Sequence, residues 1–330
     1  MKDEQPMIAV VVPCYRERDS ILQVLASIGD EVSGIFVIDD GCPDKTGALV
    51  QASCDDDRVH VVYGETNRGV GAAVKLGYER ALLAGYRVIV KLDADGQHDP
   101  RLVGSISNPI LKGEADYVKG NRFFFLESLM QMPRKRVVGN ALLSLVAKVS
   151  TGYWSIADPA NGLTAIDSRV LKRIPLAKVS NDYFFESDML FRLSTLRVRV
   201  QDFPINAIYG NETSYLKGYK AVFPFLGKSL RNFGKRIFYN YYLRGMSATS
   251  IELPVGTVLL SFGLIFGLQK WVESLQTGMP ASAGTVMLAA LPLVAGIQML
   301  IAVVSADMLQ EPSKPISPKL SGVTYPHESR

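Results

Sequence analysis

Two carboxylates lie one residue apart directly after a short apolar run, in the stretch RVIVKLDADGQHDP from Arg87 to Pro100. Because side chains at i and i+2 of an extended segment point the same way, Asp93 and Asp95 can converge on one hard cation. Mg²⁺ and Mn²⁺ prefer carboxylate, water and phosphate oxygens, and one or two protein carboxylates commonly hold them. A diphosphate can fill the remaining coordination positions, and the cation would stabilise a departing nucleoside diphosphate. The stretch therefore predicts a divalent-cation site that serves a diphosphate.

The elements around the acidic pair strengthen a signal that is weak by itself, since paired acids often belong to a solvated turn. Short β-rich runs alternate with helical ones, which predicts a parallel sheet covered on both faces. The predicted strands are Ile8–Val12, Ile35–Ile38, Val59–Tyr63 and Val88–Leu92. In such sheets ligands bind outside the carboxyl ends of the strands. Because polar clusters directly follow three of these strands, we expect one shared site at Pro13–Glu17, Asp39–Gly41 and Asp93–Gln97.

Later elements are less regular. Asn140 to Val149 and Asp182 to Leu196 are predicted to be helical, whereas PANGLTAI and RVQDFPINAIYG are predicted to be short strands or turns. From Tyr219 to Arg244, apolar positions recur every three or four residues beside a basic stripe. A basic, aromatic-rich amphipathic helix just before an apolar span is typical of the membrane interface, although a helix packed on a core has the same pattern.

Two late segments, Leu253–Leu268 and Ala281–Ala306, contain no charged residue. Crossing a bilayer takes about 20 apolar residues, which the second segment has and the first reaches if its span runs from Ile251 to Val272. Surface helices of soluble domains alternate apolar and charged faces, so the pattern favours a transmembrane hairpin over buried helices. By the positive-inside rule, the large N-terminal part and the tail are cytoplasmic, since basic residues cluster before the first span. They are Lys217, Lys220, Lys228, Arg231, Lys235, Arg236 and Arg244.

The net charge and several short sequence features disfavour other classes of protein. The formal net charge of +4 gives no basis for nucleic-acid binding. The three cysteines lack C-x-x-C spacing, which disfavours a disulfide framework or a zinc site and fits a reducing cytosol. The N-terminus MKDEQPMIAVVVP is typical of a first strand and not of a signal peptide. Gly69 and Gly71 follow a strand, but Val74 replaces the third glycine of a dinucleotide fingerprint, which disfavours an oxidoreductase.

A series of motifs, in order, resembles a known family. VVPCYRE, IDDGCPDKTG, NRGVGAAVKLGYERA, LDADGQHDP, GNRF and DPANG closely resemble the family 2 glycosyltransferases, in the branch of dolichol-phosphate mannose synthase. Bacterial members of that branch are polyprenyl-phosphate sugar transferases. The resemblance covers about the first 220 residues, and the paired C-terminal spans resemble the membrane-anchored bacterial members.

The resemblance implies a GT-A type α/β domain with a mostly parallel central sheet. It implies transfer of one hexose-like sugar from a UDP- or GDP-linked donor to a polyprenyl phosphate, with Mg²⁺ or Mn²⁺ as cofactor. The implied regions are residues 1–216 for the catalytic domain, 217–250 for interfacial amphipathic helices, 251–307 for the two spans, and 308–330 for a polar cytoplasmic tail. We expect the tail after Gln310 to be disordered. The implied location is the bacterial inner membrane or a plasma membrane, with the catalytic domain cytoplasmic.

Residue roles are also implied by the resemblance. On the donor side, the family residues that line the nucleoside site are matched by Pro13, Tyr15 and Glu17, and the residue that contacts the base is matched by Asp40. The family residues that bind the metal and the diphosphate are matched by Asp93, Asp95 and Gln97. On the acceptor side, the family residues that bind the lipid phosphate are matched by Arg122, Arg136 and Asn140, and the acid near the reacting carbon is matched by Asp158. Cys14, Arg16 and Cys42 depart from the common family residues, but none of them removes a charge that the chemistry requires.

The acceptor itself restricts the mechanism. A phosphate monoester, with a second pKa of about 6, is mostly doubly ionised near neutral pH and needs little help from a base. Asp158 can therefore orient the acceptor or act as a base, and we expect a single displacement with inversion. A processive polysaccharide synthase is disfavoured because no Q-x-x-R-W string is present, and a catalytically silent scaffold because the acids and Arg122 are retained. The sugar, the base, the lipid length and the oligomeric state stay open, although short hairpins often pack against copies of themselves.

Overall fold

The computed structural model describes residues 7–125, 130, 134–206 and 218–320, without the side chains of residues 134–136 and 218–222. The described residues divide into two compact units. The first contains the residues up to Phe233 together with those from Pro312 onward, and the second is Gly234–Glu311.

The first unit is built on a sheet of seven described strands in the order β3-β2-β1-β4-β6-β5-β7. The strands are β1 Ile8–Cys14, β2 Val32–Asp39, β3 Val59–Tyr63, β4 Val88–Lys91, β5 Tyr117–Asn121, β6 Thr164–Asp167 and β7 Val200–Pro204. Neighbouring strands are parallel except at β6, which pairs antiparallel with both β4 and β5. The prediction of a mostly parallel sheet is confirmed. The segment PANGLTAI was expected to be a short strand or a turn, and the structure adds that its strand β6 runs in the opposite direction.

Both faces of the sheet are covered, as a continuous apolar strand requires. Every residue of β1 is buried. Because successive side chains point to opposite faces, Val10 packs into one apolar cluster with Val24 and Val103, whereas Val11 packs into another with Tyr78. Among the described residues before β7, the α-helices are α1 Ile21–Ala26, α2 Thr46–Ser53, α3 Val70–Leu83, α4 Val103–Leu111, α5 Arg134–Thr151, α6 Ser168–Leu171 and α7 Phe185–Leu196.

The strand directions gather the chain's polar loops at one edge. The carboxyl ends of β1, β2, β4, β5 and β7 lie at this edge because these strands run the same way. The reversed strand β6 begins at the same edge, so the residues just before it also arrive there. The loop after β4 and the loop before β6 are therefore neighbours.

We expected the segment after the second apolar helix to be disordered, but the described part of it, which extends to Leu320, is ordered. Backbone N–H groups of Ile316 and Ser317 each donate to the Asp116 carboxylate at 2.8 Å, and α11 (Ser317–Leu320) follows. Ile316 and Leu320 also pack against an apolar cluster of the first unit. The polar composition of the segment gave no sign of this docking, because the acceptor is the buried carboxylate of Asp116, far away in the sequence and just before β5.

The two predicted spans are helices in the structure. Helix α8 (Gly218–Phe238) leads into the second unit, which contains a short π-helix at Tyr239–Leu243 and the helices α9 (Ala248–Thr277) and α10 (Ala283–Leu309). Both α9 and α10 are long and apolar enough to cross a membrane, and only 11% of each apolar window is buried. They pack closely where a Cβ at Gly263 would lie 2.7 Å from the Leu293 nitrogen, as small residues allow in membrane helix pairs.

Candidate active site

Loops from three strand ends contact one another at the shared edge. Ser20 Oγ donates to the Ala94 carbonyl at 2.7 Å, which joins the loops after β1 and β4. The Arg16 N–H lies 3.1 Å from Cys42 Sγ, which joins the loops after β1 and β2. The structure thus brings together the three polar clusters that we expected to share a site.

The predicted nucleoside residues lie around this edge. Pro13 is buried in β1, Glu17 is half-buried, and Tyr15 is 38% exposed with the Arg16 guanidinium 5.5 Å from its ring centroid. A partly exposed tyrosine beside a polar loop offers a face on which a flat ring could stack. These residues therefore line this edge of the sheet.

Asp40 has partners of its own. Its buried carboxylate accepts the N–H of Gly69 at 2.8 Å and that of Arg68 at 3.1 and 3.2 Å. The neighbouring Asp39 similarly accepts the N–H of Cys42 and of Gly47, each at 2.7 Å. Asp40 thus shapes the start of α3, a structural task that comes in addition to the predicted reading of a base.

Asp93 lies between a buried ammonium and a glycine. Lys91 Nζ donates to Asp93 Oδ1 at 2.7 Å, and Lys91 also contacts Glu186 Oε1 at 3.1 Å. Burial raises the pKa of Asp93, but attraction to Lys91 and His98 outweighs it, so the pKa of this acid is lowered overall. A Cβ at Gly162 would lie 1.7 Å from Asp93 Oδ2, which explains the glycine in the DPANG motif. Asp93 is therefore held ionised in a confined position.

Asp95 and Gln97 continue from Asp93 in a tight turn. The Gln97 N–H donates to Asp95 Oδ1 at 3.0 Å, and both side chains are half-buried. Within the described ranges, no group of three or more His, Cys, Asp or Glu side chains could hold a metal ion. A cation held by two carboxylates and an amide would take its other ligands from water and diphosphate, as Mg²⁺ commonly does.

A buried histidine also fits a bound polar group at this place. His98 Nδ1 is buried without a hydrogen-bond partner among the described residues, and Nε2 lies 3.1 Å from Asn161 Oδ1. Burial lowers the pKa of His98, which favours the neutral ring that can offer a nitrogen lone pair. His98 could therefore contact a group bound beside Asp93. The oxygen atoms of Asp93, Asp95 and Gln97 are themselves ligands that suit Mg²⁺ or Mn²⁺.

Asp158 and Arg122 contact each other directly. Arg122 Nε donates to Asp158 Oδ2 at 2.7 Å and Nη2 donates to Oδ1 at 3.1 Å, a bidentate ion pair. Asn161 Nδ2 donates at 3.1 Å to Asp158 Oδ2, the oxygen that also accepts from Arg122 Nε. Asp158 is almost fully buried, so the pair is a strong one that fixes both side chains. The structure thus joins two residues to which the resemblance assigned separate roles.

The other acceptor-side residues lie on α5. Asn140 is half-buried and lines a pocket with Asp158, Ser187 and Phe225. Arg136 lies in the first turn of the same helix, and its side chain is outside the described residues. The pocket borders Asp158, so a ligand in it would reach the Arg122–Asp158 pair.

Two further ionisable groups, the buried Lys119 and the half-buried Asp202, lie near the site. Lys119 Nζ donates to the Asn161 carbonyl at 2.6 Å, and burial lowers the pKa of Lys119 to about 8. Burial raises the pKa of Asp202 to about 6, although this acid accepts the Ala157 N–H at 2.9 Å. Sequence reasoning gave no role to Lys91, Lys119, Asn161, Gly162 and Glu186, although Asn161 and Gly162 belong to the DPANG motif. Lys91 also had a local signal, because it precedes Asp93 by two residues in an extended segment.

Comparison with known proteins identifies the family. The family model described as glycosyl transferase family 2 matches residues 9–174, and the chain belongs to that family. The chain is therefore a glycosyltransferase, and its fold is the GT-A-like α/β fold.

Two relatives extend the comparison to the acceptor. The chain is 32% identical over 201 residues to the polyprenol monophosphomannose synthase of Mycolicibacterium smegmatis. The aligned region covers 59% of this chain and 75% of that protein. It is 30% identical over 205 residues to the undecaprenyl-phosphate mannosyltransferase of Micrococcus luteus, with 61% and 83% covered. Both names state a polyprenyl-linked acceptor, so the resemblance to the polyprenyl-phosphate branch is confirmed.

A solved structure shares the fold. Glucosyl-3-phosphoglycerate synthase from Mycobacterium tuberculosis, in complex with Mn²⁺, UDP and glucosyl-3-phosphoglycerate, matches with a TM-score of 0.52 and 20% identity. The match covers 70% of this chain and 80% of that one. At this identity the likeness supports the GT-A fold alone.

Proposed function

We propose that this protein transfers one hexose-like sugar from a nucleoside-diphosphate sugar to a polyprenyl phosphate at the cytoplasmic face of a membrane. The observation that carries the proposal is the junction at Asn161-Gly162. Gly162 lies against the Asp93 carboxylate, and Asn161 donates to Asp158, which is paired with Arg122. Consecutive residues thus connect the donor-side acid with the acceptor-side ion pair, as a direct transfer requires.

The donor side would hold the nucleotide and a divalent cation. Pro13, Tyr15, Glu17 and Asp40 would form the nucleoside site, and Asp93, Asp95 and Gln97 would hold Mg²⁺ or Mn²⁺. When bound, the cation would neutralise the charge that develops on the leaving diphosphate. The low pKa of Asp93 keeps this acid charged near neutral pH without a proton to displace.

The acceptor side would orient the lipid phosphate. Arg122, Asn140 and Arg136 would bind phosphate oxygens, and Asp158 would fix the Arg122 fork through its bidentate contact. A phosphate oxygen would form a bond to the anomeric carbon as the bond to the diphosphate oxygen breaks, and its electron pair would leave with the diphosphate. Because attack and departure are in line, the anomeric configuration is inverted.

The membrane part of the proposal rests on the helices. Helices α9 and α10 would form a two-span hairpin. Because the segment after α10 packs within the first unit, a crossing chain must return to the side from which it left. On α8, Phe223, Leu226 and Leu230 are exposed apolar side chains beside exposed basic residues, which fits a helix in the membrane interface.

The test uses the full-length protein in lipid nanodiscs that contain polyprenyl phosphate. UDP- and GDP-linked hexoses are supplied singly with Mn²⁺, and the lipid product is analysed for mass and anomeric configuration. We expect one sugar per lipid, an inverted configuration, and loss of product in Asp93→Asn. A product with several sugars, or with retained configuration, would contradict the proposal.

A further inference from the structure

Lys91 is a buried cation directly below the acidic pair. Its side chain is 2% exposed, so each of its three N–H groups needs a protein acceptor. The acceptors are Asp93 Oδ1 at 2.7 Å, Glu186 Oε1 at 3.1 Å and the Gly162 carbonyl at 3.2 Å. The ammonium thus connects β4, the loop before β6 and the start of α7.

Glu186 is supported by its own surroundings. It lies in the first turn of α7, where the helix dipole favours a negative charge. The segment before it is tied to α3, because the Gly71 N–H donates to the Asn181 carbonyl at 2.9 Å. The helix after it is tied to α8, because Asn232 Nδ2 donates to Asp188 Oδ1 at 3.0 Å. Glu186 is therefore a fixed partner for Lys91.

We propose that Lys91 and Glu186 are positioning residues that fix the Asp93 carboxylate for the divalent cation. The inference rests on the proposed function, because it takes Asp93 as a metal ligand. Lys91 holds Oδ1 while the Gly162 backbone lies against Oδ2, so the carboxylate has one orientation. Glu186 offsets the lysine charge, since one positive and two negative charges leave a net charge of −1 at this cluster. Without Glu186, Lys91 would cancel the attraction of Asp93 for a cation.

The experiment measures Mn²⁺ binding to the full-length protein in detergent, by electron paramagnetic resonance, without any nucleotide sugar. Glu186→Gln keeps the side-chain length and an oxygen acceptor for Lys91 but removes the charge. We expect this variant to bind Mn²⁺ at least about tenfold more weakly, because a charge a few ångströms away is lost from a site of low dielectric. The double variant Lys91→Met/Glu186→Gln restores the net charge, so its affinity should return to within about threefold of wild type.

Orientation is read from the spectrum of bound Mn²⁺. In the double variant Asp93 is no longer held, so we expect broadened lines from several ligand geometries where the wild type gives one set. Glu114→Gln is the matched control, because Glu114 is exposed and precedes β5 at the opposite edge of the sheet. This control should bind Mn²⁺ as the wild type does, and circular dichroism verifies that each variant folds.

Two results would overturn the inference alone: Glu186→Gln with wild-type affinity, or a double variant with the wild-type spectrum. Wild-type protein that binds no Mn²⁺, either alone or after addition of UDP or GDP, would instead overturn the metal dependence in the proposed function, and this inference with it. If the double variant does not fold, the affinity of Glu186→Gln still decides, since that substitution leaves Lys91 its hydrogen-bond acceptors.

Discussion

The substitution Gly162→Ala would put a methyl group where the Asp93 carboxylate lies. The added Cβ would be 1.7 Å from Asp93 Oδ2 and 3.1 Å from Lys91 Nζ. An ordinary contact of this kind is about 3.4 Å, so the carboxylate has to move by roughly 1.7 Å. The neighbouring backbone cannot absorb this shift, since Gly162 is buried and its carbonyl accepts from Lys91.

The size of the effect follows from what the movement breaks. A displacement of that size takes the 2.7 Å contact between Lys91 Nζ and Asp93 Oδ1 beyond hydrogen-bond distance. Loss of a hydrogen bond to a charged group costs about 1.5–3 kcal/mol. Overpacking costs about 1–3 kcal/mol, and because the two share one cause we expect a total of about 3 kcal/mol. For a unit of this size, that is a decrease of roughly 6–12 °C in the melting temperature.

The assay is thermal unfolding in detergent together with Mn²⁺ affinity. Gly162→Ala should lower both, whereas Gly227→Ala should lower neither, because a Cβ at Gly227 meets no heavy atom within 4 Å. A double-mutant cycle isolates the clash: in an Asp93→Ala background, Gly162→Ala should cost less than about 1 kcal/mol. Wild-type stability and Mn²⁺ affinity in Gly162→Ala would refute the reasoning, as would an equal cost in both backgrounds.

Three further predictions concern other parts of the molecule. Since burial lowers the pKa of Lys119 from 10.5 to about 8, the unfolded chain binds an extra proton between these values. Wild-type stability should therefore rise by about 3 kcal/mol from pH 8 to 10.5 relative to Lys119→Met, and parallel unfolding curves would contradict this. Asp116→Ala removes the acceptor of two tail N–H groups, so trypsin should cut the tail at least about tenfold faster, and an unchanged rate would show that the tail is held otherwise. Replacing the exposed Arg231 and Lys235 by Gln should weaken binding to anionic vesicles roughly thirtyfold, at about 1 kcal/mol each, without affecting donor hydrolysis in detergent. Lys228 is excluded from that set because its side chain pairs with Asp182 at 2.5 Å.

The sequence predicted the elements well where periodicity is strong. The strands at Ile8–Val12 and Val59–Tyr63 and the helix over Asn140 to Val149 lie within observed elements, because each has an apolar pattern of its own. Strand β6 was different. Its four residues contain no information on direction, and its antiparallel pairing depends on β4 and β5 on either side. That reversal brings Asn161 and Gly162 to the site.

The acids of the site were predictable, but most of their partners were not. Asp93 and Asp95 could be found because their spacing suits a cation and because they directly follow a predicted strand, as other polar clusters do. Glu186 lies 95 positions after Lys91 along the chain, and only the packing of α7 brings the two together. Lys91 could have been found, because the i, i+2 rule that joins the two acids also places the lysine on their side of the strand. We predicted a strand at Val88–Leu92 from its apolar residues and gave its single lysine no role.

That lysine changes what the acidic pair requires. Close carboxylates repel each other, but Lys91 and its partner Glu186 leave a net charge of only −1 around Asp93, so repulsion alone does not demand a metal. The need for a cation then comes chiefly from the donor diphosphate, and the two should bind cooperatively. UDP or GDP should tighten Mn²⁺ binding about 5–150-fold, and Mn²⁺ should tighten nucleotide binding by the same factor, because coupling between sites is reciprocal. Calorimetric titrations in both orders measure the two factors, and Mn²⁺ binding that does not change with nucleotide would contradict this view of the site.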